Sequence, residues 1–258
     1  MNNQSLTDNC AGCPLSDACV LAMTAELRLV DQPADPIARC RTTKTYRSGE
    51  YILHQDQAGQ HMPVICQGLA AATLLTDGGE EILIHAHGPG SIVDLSRRIR
   101  KHRTDSFSVK AVTDVTVRFS TGSELEILLE GSGAAHTIFL DQIGTQLQAD
   151  QRAMIILREK NTYGRIQLAI HELIRLLHLD HKSPIILPHK IPRWFLSSYT
   201  ALRPETVSRI LSRLRADGLI AYRNHHLVIP SYSNLLRRID TYVNGWSQLD
   251  GRPDSGSC

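Results

Sequence analysis

The spacing of apolar residues divides the chain into regions of different period. Between residues 41 and about 120 the apolar positions fall in brief β-type runs, at Tyr51–Leu53, 63–66, 71–75, 81–84, 106–112 and 115–119. Glycine turns such as Asp77-Gly78-Gly79 and Gly88-Pro89-Gly90 separate them. Short strands punctuated this way predict a small antiparallel barrel or roll. Residues 134–160 then hold no proline and only Gly144. Leu140, Ile143, Leu147, Met154 and Leu157 recur there at helical spacing, which predicts one long helix with an apolar seam. Such a seam can lie on the roll or on a partner helix. Helix length and the interruption of the seam by Asp150 favour the partner, because a carboxylate in a symmetric helix pair repels its mate and weakens the assembly.

Beyond residue 161 the period stays helical and then shortens. Ile166, Ala169, Ile170, Leu173, Ile174 and Leu177 predict an amphipathic helix over 162–179, followed by a loop with Pro184 and Pro188. A short helix over 192–200, a tight turn at Ala201-Leu202-Arg203 and a second helix beginning at Pro204 follow. Proline suits the first helical position, where its missing N–H costs nothing. The second helix reaches Asp217, with Gly218 as its stop. Val207, Ile210, Leu211 and Leu214 form its buried stripe, whereas Glu205, Ser208 and Arg209 share another face. The alternation over 219–229 predicts a β-hairpin. Helix, turn, helix and wing in fifty residues form a module that docks in a DNA groove. Arginine matches guanine O6 and N7, glutamate accepts from cytosine N4, and serine serves several base edges. Arg203, Thr206 and Arg213 are the further DNA-contact candidates.

Charge sharpens this assignment. The formal net charge of the chain is only +2. Between Lys190 and Arg238, however, nine Lys or Arg stand against two acids, Glu205 and Asp217, a local excess of +7. That is a polyanion-binding footprint. With 42% hydrophobic and 21% charged residues the chain reads as a soluble protein with real cores. It has neither a membrane-length apolar run nor a signal-peptide layout at its start, so a cytoplasmic location is expected and a membrane partner is not.

Six cysteines in a reducing compartment do not make a disulfide framework, and Cys10, Cys13 and Cys19 crowd into ten residues. Thiolates suit iron–sulfur clusters and zinc alike, and a thiol switch is the third reading. His54, His61, His85 and His87 in the roll leave a histidine-bound cofactor such as haem as a lesser alternative, with both rings of His85 and His87 expected on one face. The basic run 97–103 reads as a solvated loop that also suits RNA polymerase or the DNA backbone. An enzyme is not expected: neither a C-x3-C-x2-C radical motif nor paired carboxylates in a glycine-rich pocket occur.

The segment Arg203-Pro204-Glu205-Thr206-Val207-Ser208-Arg209, continued by Ile210-Leu211-Ser212-Arg213-Leu214, resembles the recognition helix of the CRP/FNR regulators. The order of parts over roughly residues 10–230 is similar too. The resemblance implies an α+β chain with an N-terminal antiparallel, cupin-like β-roll sensor domain, a long dimerisation helix and a C-terminal winged helix-turn-helix. The expected boundaries are 1–40 for a cysteine-rich cluster-binding segment, 41–133 for the roll, 134–161 for the dimerisation helix, 162–235 for the DNA-binding domain and 236–258 for a tail. The E-x-x-S-R pattern resembles the FNR branch, which implies a homodimeric transcription activator on a palindromic operator with TTGAT-like half-sites, working with RNA polymerase. The Gly90–Leu95 stretch and Ser106-Phe107-Ser108 lack the G-E-L and arginine pattern of cyclic-nucleotide members, so no cyclic nucleotide is expected. Cys10, Cys13 and Cys19 resemble the ligand set of a [4Fe–4S] oxygen sensor, and Asp150 falls where such proteins place an acid in the dimer seam. The usual fourth ligand lies on the last strand of the roll, but residues 114–120 hold no cysteine. Cys40, just ahead of the first strand, is the expected substitute, Cys66 the second choice and Cys258 the least favoured.

Overall fold

In a computed structural model, residues 43–56, 61–94, 107–121, 130, 133–237, 239 and 242 are described. The chain divides into two compact units, residues 1–145 and 146–258, and the division falls inside one long helix.

The first unit is a roll of two antiparallel sheets. One has the order β1–β7–β3, from Thr43–Tyr46 (β1), Val115–Thr121 (β7) and His61–Gln67 (β3). The other has the order β2–β6–β4–β5, from Tyr51–Leu53 (β2), Ser108–Ala111 (β6), Ala70–Leu75 (β4) and Glu81–His87 (β5). The inward residues form one core that includes Tyr46, Ile65, Val93, Val109, Val115 and Val117, with Phe107 and Phe119 packed against it. Gly68 turns β3 into β4 at φ +87°, and a Cβ there would stand 2.2 Å from the Asp114 carbonyl oxygen, so the tight approach of this turn to β7 admits only glycine. β1 is absent from the apolar runs of the sequence because three of its four residues are exposed. It is held instead by pairing, with Thr43 opposite Arg118 and Tyr46 opposite Val115. First and last strands of the roll are therefore neighbours.

The long helix, α1, spans Gly133–Arg158. In the second unit its C-terminal half is followed by Thr162–Leu176 (α2), which Asn161 caps by accepting from the Tyr163 N–H at 3.0 Å. Eleven of the fifteen residues of α2 are buried. This helix is the centre of the unit, packed by Arg193–Thr200 (α3), Pro204–Ala216 (α4) and Tyr232–Leu236 (α5). A three-stranded sheet of order β8–β10–β9 completes it, from Ile185–Ile186 (β8), His226–Ile229 (β10) and Ala221–Arg223 (β9). Two elements differ from the sequence reading. β8 lies where a loop was expected, because two isoleucines suffice to pair with Val228 and Ile229. The packed body also runs past residue 235: Leu235 closes on α2, and Ile239 is 1% exposed.

Several buried polar groups of this unit pair with one another. The Arg152 Nε donates to Glu172 Oε2 at 2.9 Å with both side chains buried, which ties α1 to α2. Gln167 Nε2 donates to the Leu235 carbonyl at 3.0 Å, and the Tyr232 hydroxyl lies 2.7 Å from His171 Nδ1. Burial, then the positive charges of Arg175, His181 and Arg152, lower His171 from 6.5 to about 3. The folded unit thus keeps this ring neutral where the unfolded chain protonates it. Its contribution to stability is complete above pH 6.5 and is lost as pH falls toward 3, at up to about 1.4 kcal/mol per pH unit. Trp194 on α3 belongs to this unit, so its fluorescence reports the unit's unfolding. In denaturant titrations from pH 7.5 to 4.5, the wild type is expected to lose stability faster than His171→Gln. Parallel losses would contradict the assignment.

Candidate nucleic-acid interface

The turn between α3 and α4 is built by backbone geometry. Ala201 adopts φ +50° and ψ 38°, and the Leu202 N–H donates back to the Ser197 carbonyl at 3.1 Å. Arg165 fixes the end of α3, donating from Nη1 to the Thr200 carbonyl at 3.2 Å and from Nε and Nη2 to the Glu159 carbonyl at 2.9 and 2.6 Å. Those carbonyls have no intrahelical partner, so the guanidinium satisfies them and anchors the turn to the start of α2.

Pro204 opens α4 after the extended backbone of Arg203, and Glu205 places its charge in the first turn, where the helix dipole favours an anion. Arg213 and Arg215 occupy the last turn, where a cation is favoured. The helix stops in a Schellman motif: the Gly218 N–H donates to Arg215 O, the Leu219 N–H donates to Leu214 O, and Gly218 takes φ +70°. The helix therefore ends at Ala216, one residue before the expected Asp217, which serves as its cap.

The buried stripe of α4 is Val207, Ile210, Leu211 and Leu214. Glu205 and Arg209 are exposed and Ser208 is half-buried. Of the other nominated contacts, Arg203 caps the exposed helix start and Thr206 is half-buried beside it. Arg213 sits on a flank of α4, its guanidinium 5.2 Å from the centre of the Tyr163 ring. Tyr163 in turn donates to Asp217 Oδ2 at 2.6 Å. Arg213 thus packs along α2 in addition to offering charge.

The other flank of α4 faces the wing. Asn224 and His225, both at positive φ, form the two-residue turn between β9 and β10. Between α4 and this hairpin runs a groove of about 690 Å³ lined by Arg193, Ser212, Arg215, Tyr222, Asn224 and His225. Burial raises the Tyr222 hydroxyl above its usual value, against the opposite pull of Arg193 and Arg215. Arg193, the first residue of α3, donates from Nη1 to the Ser208 hydroxyl oxygen. Sequence reasoning counted Arg193 only as local charge. The available signal was its place at the start of the first helix of the pair.

The remaining candidates are more scattered. Leu147, Met154 and Leu157 project from α1 at 57%, 59% and 45% exposure, with Ile143 and Asp150 half-buried between them. Cys10, Cys13, Cys19, Cys40, Cys258 and the basic run 97–103 lie outside the described residues. Cys66 is half-buried on β3, at the register shift between Ile65 and Gln67 opposite β7. His85 and His87 do share a face, their rings 4.5 Å apart, and burial followed by the His85 charge holds His87 well below its usual value. His54 stacks near Tyr51, and His61 pairs with Thr121 at the start of β3. Among the described residues no three His, Cys, Asp or Glu side chains gather as a metal site, and no helix is long and apolar enough to cross a membrane.

A β-roll followed by a long helix and a winged helix-turn-helix defines the class of DNA-binding regulators with a sensory roll. Residues 43–132 match the family model described as cyclic nucleotide-binding domain, and residues 171–238 match that of the Crp-like helix-turn-helix domain. The chain is 25% identical over 244 residues to the transcriptional activator protein anr of Pseudomonas aeruginosa, covering 94% of this chain and 95% of that one. It is 24% identical over 213 residues to the transcriptional activator protein FnrA of Stutzerimonas stutzeri, covering 82% and 84%. The solved structure of FixK2 from Bradyrhizobium japonicum superposes with a TM-score of 0.64 at 22% identity, covering 76% of this chain and 96% of that one. The chain belongs to the CRP/FNR family of DNA-binding transcription regulators, a family of regulators and not of enzymes.

A left-handed backbone costs an alanine about 1 kcal/mol relative to glycine. Ala201→Gly is therefore expected to raise the thermal midpoint of the second unit while leaving DNA affinity unchanged. A lowered midpoint would show that Ala201 is not held left-handed.

Proposed function

We propose that the protein is an FNR-like, homodimeric transcription activator that reads a palindromic operator of TTGAT-like half-sites. The observation that carries this reading is the amphipathic split of α4. Its apolar stripe is fully used in packing, so Glu205, Ser208 and Arg209 turn outward from a helix stiffly seated on α2 and α3. Arg209 offers two parallel donors to guanine and Glu205 an acceptor to cytosine, while Arg203, Thr206 and Arg213 add backbone contacts. Two copies pairing along Ile143, Leu147, Met154 and Leu157 would place two such helices on half-sites one helical turn apart. Asp150 in that seam sets the pairing strength, since its carboxylate meets its own symmetry mate. RNA polymerase is the partner that an activator of this kind engages.

The signal enters, on this reading, through Cys10, Cys13 and Cys19 with Cys40 as fourth ligand. Four thiolates suit a [4Fe–4S] cluster, which when bound supplies reactivity toward oxygen or nitric oxide. Cys40 precedes by three residues the strand β1, which pairs with β7, the strand from which related sensors draw their fourth ligand. Cys66 also lies beside β7, on the opposite neighbour β3, and is the second choice. On this reading the roll takes no cyclic nucleotide, since Gly90–Leu95 and Ser106-Phe107-Ser108 lack the G-E-L and arginine pattern of cyclic-nucleotide members. A second reading, in which the cysteines bind zinc or switch as thiols, is favoured by the absence of a cysteine from β7.

Two experiments test these layers separately. Arg209→Ala is expected to relax sequence preference at the base pair it faces, by about 1–3 kcal/mol, with fold and cofactor content intact. Retained preference would end the base-reading assignment. Anaerobically purified protein is expected to hold iron and sulfide and to absorb near ~400 nm, with the band bleaching in air and missing from Cys40→Ser. A colourless protein containing zinc would establish the second reading.

A further inference from the structure

Arg193 and Ser208 lie on different helices of the DNA-reading unit, and one hydrogen bond joins them. Arg193 starts α3 and is exposed, and its Nη1 donates to the Ser208 hydroxyl oxygen on α4. Arg193 also lines, together with Tyr222, the groove between α4 and the wing. We infer that Arg193 is a positioning residue for base selection: by donating into Ser208 it makes that hydroxyl a hydrogen-bond donor toward DNA. This inference rests on the reading of α4 as the base-contacting helix.

A serine hydroxyl has one hydrogen to give and two lone pairs to receive, and rotates to suit either partner. Arginine has only donors. Once a charged guanidinium occupies a lone pair, the remaining hydrogen is pushed outward and more strongly polarised. The same positive charge disfavours an incoming amino group. Ser208, ambivalent in isolation, is then selective for a keto oxygen or ring nitrogen at a base edge over the amino group of cytosine or adenine. Its half-buried position beside the exposed Glu205 and Arg209 is consistent with a hydroxyl covered from one side.

A simple phosphate contact is the competing role, and it leaves a different signature. Losing a phosphate contact lowers affinity for all sequences alike and lessens the salt dependence, whereas losing a base contact changes preference at one position. The test is equilibrium binding of the full chain to its selected operator and to duplexes altered at each half-site base pair. Wild type, Arg193→Met, Ser208→Ala and the double variant are compared over a range of salt, with thermal unfolding to confirm an unchanged fold. Arg193→Met is expected to lose about tenfold in preference at the same base pair that Ser208→Ala relaxes, and the double variant to lose no more than either single one. A uniform loss with the salt slope reduced by about one and preference intact would overturn the inference, as would additive losses. If Arg209→Ala also left every preference intact, the base-reading assignment itself would fail. If only Arg193→Met did so, the positioning role alone would fall.

Discussion

The burial of a single apolar stripe on α4 is the constraint on which the functional arrangement depends. Val207, Ile210, Leu211 and Leu214 are at most 5% exposed, and they close against the buried faces of α2 and α3, including Phe195 and Leu196. A helix has only one direction to turn its remaining face once such a stripe is fixed. Glu205 and Arg209 stand outward for that reason. The caps reinforce the seat: Pro204 and Glu205 at the start, Arg213, Arg215 and the Schellman turn at the end. A stiffly held helix loses little entropy on docking, which leaves its side-chain contacts free to express sequence preference.

Around this helix, polar groups lock the supporting elements. Arg165 joins the end of α3 to the junction before α2, and the buried Arg152–Glu172 pair joins α1 to α2. A buried ion pair contributes little net stability against an apolar substitute, but leaving either partner alone is costly, so the pair acts as a geometric key. Met154 and Leu157 are exposed, whereas Arg152 and Ile156 are buried, and Arg152 reaches Glu172 of α2. The C-terminal part of α1 is thus shared: Arg152 is committed to the DNA-binding unit, while Leu147, Met154 and Leu157 are exposed.

The recognition helix was legible in the sequence because three independent signals agreed there: the i, i+3, i+4, i+7 stripe, proline at the first helical position and glycine after the last. The strands of the roll were legible where apolar residues alternate between glycine turns. β1 was not, since Thr43, Lys44 and Thr45 are exposed and only pairing with β7 makes them a strand. β8 and α5 were missed for the same reason: two and five residues are too short for a period to show, and it is tertiary packing that orders them. Within the site, the outward trio followed from helical geometry, but the Arg193–Ser208 bond spans two helices and no local pattern encodes it. Arg213 was nominated by charge alone, whereas its stacking on Tyr163 depends on how α2 and α4 lie together.

The most direct measurement of the central claim is selection from a pool of random duplexes by the full chain under anaerobic conditions, followed by sequencing. The account predicts enrichment of a two-fold-symmetric motif whose half-sites are centred about 10 base pairs apart, with the strongest preferences at the pairs facing Glu205 and Arg209. Binding without an enriched motif, driven only by salt-sensitive attraction to phosphates, would contradict it.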